Sequence, residues 1–143
     1  MLNIGNLLGL VRKGIDTVDQ VKSLHSDLQS SGIVGNVKKT ADLIYEKIND
    51  FLLPDEMKYD RFTYEDMIKY FVQFRPKASY VKGIFLLAEQ RAGKIIAYQF
   101  FVDQDDNIID KGNNELHGRK LFLKEMDQEL LNVLGGSDIL IVE

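Results

Sequence analysis

The hydrophobic period changes partway along this chain, and that change limits the fold more than any other feature. Ile4, Leu8, Val11, Ile15, Val18, Val21, Leu24 and Leu28 recur at steps of three and four. Such spacing places them on one face of a helix. A turn cluster at 29–32, ending in Gly32, interrupts the stripe. It resumes at Val34, Val37, Ala41, Ile44, Ile48 and Phe51 and stops before Pro54, because proline disfavours helix in the residue before it. Two helices joined by a short loop pack antiparallel, so the stripe predicts an αα-hairpin over 1–53. Steps of three and four sustained for about two heptads per helix also match the seam of a coiled coil. Gly5, Gly9 and Gly14 weaken the start, each by about 1 kcal/mol relative to alanine in a helix interior. The extreme N-terminus is therefore expected to fray unless other groups hold it.

Beyond Pro54 the chain reads differently. Residues 53–61 are polar and read as a connector. Thr63 suits a helix N-cap, with Glu65 and Asp66 at the positive first turn. Met67, Ile68, Phe71 and Phe74 supply that helix with an apolar face, and Pro76 ends it. The stretches YVKGIFLLAE (80–89) and KIIAYQFFV (94–102) are rich in aromatic and β-branched residues around Arg91-Ala92-Gly93. They predict a β-hairpin. A turn cluster at 103–107 leads to a short third strand at Ile108 and Ile109. A fourth helix is expected after the break at 112–114, with Leu123, Met126, Leu130 and Leu134 on one face and Gly135-Gly136 at its end. The apolar run DILIV (138–142) closes the order as a buried strand, which the crossover allows to lie parallel to a neighbour.

The expected architecture is α+β: an N-terminal αα-hairpin at 1–53, then α-β-β-β-α-β with a small, mainly antiparallel sheet at 54–143. With 45% hydrophobic and 28% charged residues, the 143-residue chain can bury a core and remain in solution.

Composition removes several chemistries. There is no cysteine, hence no thiolate nucleophile, redox pair, sulfur-ligated zinc or disulfide. Two histidines, His25 and His117, do not make a multi-histidine metal site, and no metal or cofactor is expected. The net charge of −4 argues against nucleic acid as the partner, since neutralising phosphates needs a basic face. No stretch approaches the roughly 20 apolar residues of a membrane span. Arg12 and Lys13 follow the apolar start rather than precede it, unlike a secretory signal. A cytoplasmic location is expected.

Motifs with chemical content are few. Gly93-Lys94 resembles the end of a phosphate loop, but Ala88 and Ile95 stand where glycine and Ser or Thr are required. Asp103, Asp105 and Asn107 match the first ligands of a calcium loop, and the match then fails at Ile108 and Asn114. Tyr98 and Phe100 fall on one strand face and Phe101 on the other, as core residues more often than as a stacking platform. The richest stretch is 113–120. There Asn114, Arg119 and Lys120, at the expected start of the fourth helix, are candidates for binding an anion. His117 and Glu115 are the acid–base candidates. The plainer reading is that Asn114 caps the helix and the charges are solvated.

These features favour a non-enzymatic module for protein–protein interaction or homo-oligomer assembly. Its interaction surface would be the stripe of Ile4, Leu8, Val11, Ile15, Val18, Val37, Ile44 and Ile48. The rival is a small enzyme or ligand-binding protein acting on an anionic substrate at 113–120. A third reading is peripheral membrane attachment through Leu7, Leu8, Leu10 and Val11 with Arg12 and Lys13, disfavoured by Asp16, Asp19 and Asp27.

Overall fold

The change of period at Tyr80 precedes the central hairpin of a sheet that collects helices on both of its faces. A computed structural model describes residues 2–13, 17–19, 37–53, 55–77 and 80–143. Its helices are α1 (Gly5–Arg12), α2 (Thr40–Ile48), α3 (Tyr64–Gln73) and α4 (Gln128–Leu134). Its strands are β1 (Thr17–Asp19), β2 (Val37–Lys39), β3 (Glu56–Phe62), β4 (Val81–Arg91), β5 (Lys94–Asp103), β6 (Gly118–Met126) and β7 (Ile139–Val142). The fold is α+β. Five strands form a mixed sheet in the order β3-β6-β5-β4-β7. The β3–β6 pair is parallel and the other neighbours are antiparallel.

Strand alternation divides the core into two halves. Ile95, Ala97 and Phe101 of β5 meet Met67, Tyr70 and Phe71 of α3 and Leu130 and Leu134 of α4. Tyr98, Phe100 and Val102, the alternate residues, meet Ile4 and Leu8 of the N-terminal segment and Ala41, Ile44 and Ile48 of α2. Helices thus cover both sheet faces, as Thr63 and its neighbours illustrate on the first. Thr63 Oγ1 accepts from Asp66 N–H, and Asp66 accepts from Thr63 N–H, both at 3.0 Å. This reciprocal capping box starts α3 where the sequence placed it.

Several expectations need correction. Residues 56–62 form a strand, not a connector. An edge strand needs few apolar residues, and here only Phe62 is fully buried and Tyr59 half-buried. The fourth helix begins at Gln128, because 118–126 is the strand β6, inserted between β3 and β5. Leu123 and Met126 belong to that strand, while Leu130 and Leu134 belong to α4, which Asp127 caps by accepting from Leu130 N–H at 2.9 Å. The helical period of these residues therefore spans a strand–helix junction. Ile108 joins only an isolated bridge with Val102. β7 lies antiparallel to β4, not parallel to a neighbour.

The N-terminal stripe also differs from expectation. Residues 14–16 and 20–36, which include Ile15, Val21, Leu24, Leu28 and Val34, lie outside the described residues. Within the expected hairpin, Thr17–Asp19 and Val37–Lys39 pair antiparallel as short strands. α1 and α2 turn their stripe onto the sheet, where Ile4, Leu8, Ile44 and Ile48 are at most 1% exposed.

The segment from Leu2 to Ile4 is held rather than frayed. Ile4 N–H donates to the Asp106 carbonyl at 3.0 Å, and Ile108 N–H to the Leu2 carbonyl at 2.8 Å. Asn3 Nδ2 donates to the Asp105 carbonyl at 2.6 Å. The turn that receives these bonds is the acidic cluster compared above with a calcium loop. It uses its carboxylate internally: Asp103 Oδ1 accepts from Asp105 N–H at 2.9 Å and Asn107 N–H at 3.0 Å. Burial opposes ionisation of Asp103, but the bonds from Asn107 and Asp105 and the Lys82 charge outweigh it and hold its carboxyl below the usual range. Among the described residues no cluster of three or more His, Asp or Glu is arranged to hold a metal ion.

Candidate anion site

The strand assignment of β6 decides where the candidate residues go. Side chains at consecutive strand positions point to opposite faces, so Arg119 and Lys120 separate. Lys120 lies on the α1/α2 side, its Nζ 5.0 Å from the Phe122 ring centroid and 5.9 Å from that of Tyr98. Asn114, in the left-handed region at φ 59°, donates from Nδ2 to the Asp50 carbonyl at 2.6 Å and so ties its loop to the end of α2. The three anion candidates therefore do not converge. Nor do the acid–base candidates: His117 and Glu115 make no hydrogen bond to each other. His117 packs edge-on against Phe101 at 5.3 Å, and its Nε2 lies 2.8 Å from the Phe74 carbonyl. A carbonyl only accepts, so Nε2 carries the proton in this contact.

Arg119 builds a site by another route. It is 7% exposed and points into the α3/α4 face. Its Nε donates to Gln99 Oε1 at 2.8 Å, and its Nη1 to the Tyr59 hydroxyl at 3.1 Å. Gln99, fully buried, donates in turn to the Met67 carbonyl of α3 at 3.0 Å. The guanidinium carbon lies 4.2 Å from the Tyr70 ring centroid, 5.6 Å from Tyr59 and 5.9 Å from Phe62. Tyr70 stacks on Phe74 at 4.8 Å and 28°, and Phe74 is 48% exposed. An aromatic surface thus runs from the buried cation to the exterior.

Two features of this cage are electrostatic. Among the described residues no carboxylate lies within ion-pair distance of Arg119, whose acceptors, Gln99 and Tyr59, are both neutral. Its Nη2 has no protein partner among the described residues. No buried side-chain nitrogen or oxygen there lacks a partner, so Nη2 reaches solvent, as does the unpaired Tyr70 hydroxyl. Burial pushes the Tyr70 phenol up to about 12, the Arg119 charge opposing and the Asp55 charge adding. Tyr70 therefore stays a neutral donor at ordinary pH.

The sign of that shift gives a testable pH dependence. A phenol raised in the folded state favours folding fully below its unfolded value, about 10. That contribution is lost as pH rises toward about 12. Tyr98 is shifted the same way, by burial and then by its hydrogen bond with Tyr45. The thermal midpoint of the wild type is expected to fall across this alkaline window, and that of Tyr70→Phe to fall less. Equal slopes in thermal melts at matched pH would remove Tyr70 from the account.

Sequence reasoning found Arg119 but missed Gln99, Tyr59, Tyr70 and Phe62. One signal was present: Gln99 is the polar residue inside the apolar run IIAYQFFV. A polar group in a core strand needs a buried partner, and that partner is Arg119. The chain matches no protein-family model, no curated protein and no solved structure.

Proposed function

We propose that this chain is a non-enzymatic recognition protein that captures an anionic ligand at Arg119. One observation carries the reading: a guanidinium nine-tenths buried with no carboxylate partner among the described residues. Desolvating a cation costs several kcal/mol, which attraction to an opposite charge normally offsets. Stacking on Tyr70 offsets part of it, about 1–2 kcal/mol. Neutral acceptors orient the group without neutralising it, so an incoming anion gains the full interaction. The non-enzymatic part is supported by the dispersal of His117, Glu115 and Lys120.

The test is titration calorimetry of the whole chain with small carboxylates and inorganic phosphate. Saturable binding that Arg119→Met removes is expected. Arg119→Met strands Gln99 Oε1 at a cost of about 1–3 kcal/mol, so Arg119→Met/Gln99→Leu, which removes both partners, serves as the folded control. Absence of binding to every anion, or binding unchanged in both variants, would sink the reading.

Association with a protein partner or a second copy is the second reading. It is favoured by the contrast between the sheet edges. β3 carries Glu56, Lys58, Asp60 and Arg61, charges that discourage edge pairing. β7, the other edge, is Ile139-Leu140-Ile141-Val142 and carries none. Membrane attachment through α1 has less support, because Leu8 is buried and Leu7 and Val11 pack against the core. Among the described residues no helix is long and apolar enough to cross a membrane. The lack of cysteine fits a cytoplasmic location.

A further inference from the structure

We infer that the ligand of the Arg119 cage is a monocarboxylate carried on a flat apolar or aromatic group, not a phosphate; this rests on the anion-capture reading above. The guanidinium carbon lies over the Tyr70 ring, 4.2 Å from its centroid, while Nη2 reaches solvent. The N–H bonds of a guanidinium lie in its plane, so an anion that accepts from Nη2 enters edge-on, alongside the Tyr70 ring. A carboxylate is planar and pairs with guanidinium within that plane. A tetrahedral phosphate keeps at least one oxygen out of the plane. On the Tyr70 side that oxygen would face a π-surface, which is the negative part of an aromatic ring.

Charge points the same way. The cage offers one cation, since Lys120 stands on the opposite sheet face. Asp55 is close enough for its charge to act on Tyr70. One positive and one nearby negative group suit a monoanion better than a dianion. The Tyr70 hydroxyl, unpaired and kept protonated, is a donor available to the second carboxylate oxygen.

The rest of the ligand is inferred from the surface beyond the cation. Phe74 continues the Tyr70 stack at 4.8 Å and is 48% exposed. A flat apolar substituent on the carboxylate would cover that ring as it leaves the cage. The source is either a free aryl acid or the C-terminal carboxylate of a peptide ending in an aromatic residue.

Calorimetry on the full chain separates these claims, with acetate, phenylacetate, N-acetylphenylalanine, phenylacetamide and inorganic phosphate as probes. Phenylacetate or N-acetylphenylalanine is expected to bind at least about tenfold more tightly than acetate. Phosphate should be weaker than either, and neutral phenylacetamide silent. Phe74→Ala should erase the advantage over acetate. The order of the two aromatic acids, whichever it is, supports the inference and identifies the source. Phosphate binding as tightly as phenylacetate, with Arg119→Met abolishing both, would overturn this inference and leave anion capture standing. No binding by any probe would overturn both.

Discussion

A chain that begins at Asp55 is expected to lose its fold rather than yield a folded monomer. α1 and α2, with the segment before α1, are the layer that covers Ile84, Leu86, Tyr98, Phe100 and Val102. Removing them uncovers a sheet face of aromatic and branched side chains. Ile4, Leu8, Ile44 and Ile48 are at most 1% exposed, and burying such a side chain contributes roughly 1.5–3 kcal/mol. Four of them supply a sum comparable with the whole stability of a domain, about 5–15 kcal/mol. Far-ultraviolet circular dichroism and size exclusion with light scattering on the full and shortened chains would check this. The expected result is an aggregated or unfolded product. A folded monomer from Asp55 beside an oligomeric full chain would make residues 1–53 an assembly element instead, and would favour association over the covering role.

What was legible in the sequence was whatever a local period specifies alone. β4 and β5 are dense in aromatic and branched residues, and their hairpin lies where residues 80–102 placed it, with a bulge between Leu87 and Glu89. Thr63 and Asp66 announce α3 because a capping box is complete within four residues. What was not legible depends on neighbours distant in sequence. β3 is polar because an edge strand buries little, and its partner β6 starts more than fifty residues later. β6 mimics a helix in sequence because Leu123 and Met126 fall in step with Leu130 and Leu134. The same mimicry misplaced the site. A helix would have gathered Asn114, Arg119 and Lys120 at one end, whereas a strand sends Arg119 and Lys120 to opposite faces. The cage joins Tyr59 of β3, Tyr70 of α3, Gln99 of β5 and Arg119 of β6, a set that no sequence spacing announces.

Asp106→Asn is expected to destabilise the protein by about 3 kcal/mol, at the low end of the range for breaking a buried ion pair. Lys82 is 6% exposed, and its Nζ lies 2.5 Å from Asp106 Oδ1. Arg12 reaches the other oxygen of Asp106 at 3.5 Å. Neutralising Asp106 leaves the Lys82 ammonium buried, with the charge of Asp103 as partial compensation, hence the low end. Asparagine is the informative replacement because Asp106 has φ 64°, which asparagine tolerates and alanine does not. Adding Lys82→Met should recover much of the loss, since removing both members of a buried pair is often nearly neutral. Urea unfolding of the two single variants and the double would measure the coupling, and additive losses would mean that the pair is not the cause. The same carboxylate sits in the turn that holds the N-terminus, so Asp106→Asn is also expected to speed amide exchange through Gly5–Arg12. The Arg119 cage belongs to the opposite face of the sheet. Anion affinity at a temperature where the variant is fully folded should therefore be unchanged. A fall in affinity there would show that the two helical layers are coupled through β5, where Gln99 and Phe100 are neighbours on opposite faces.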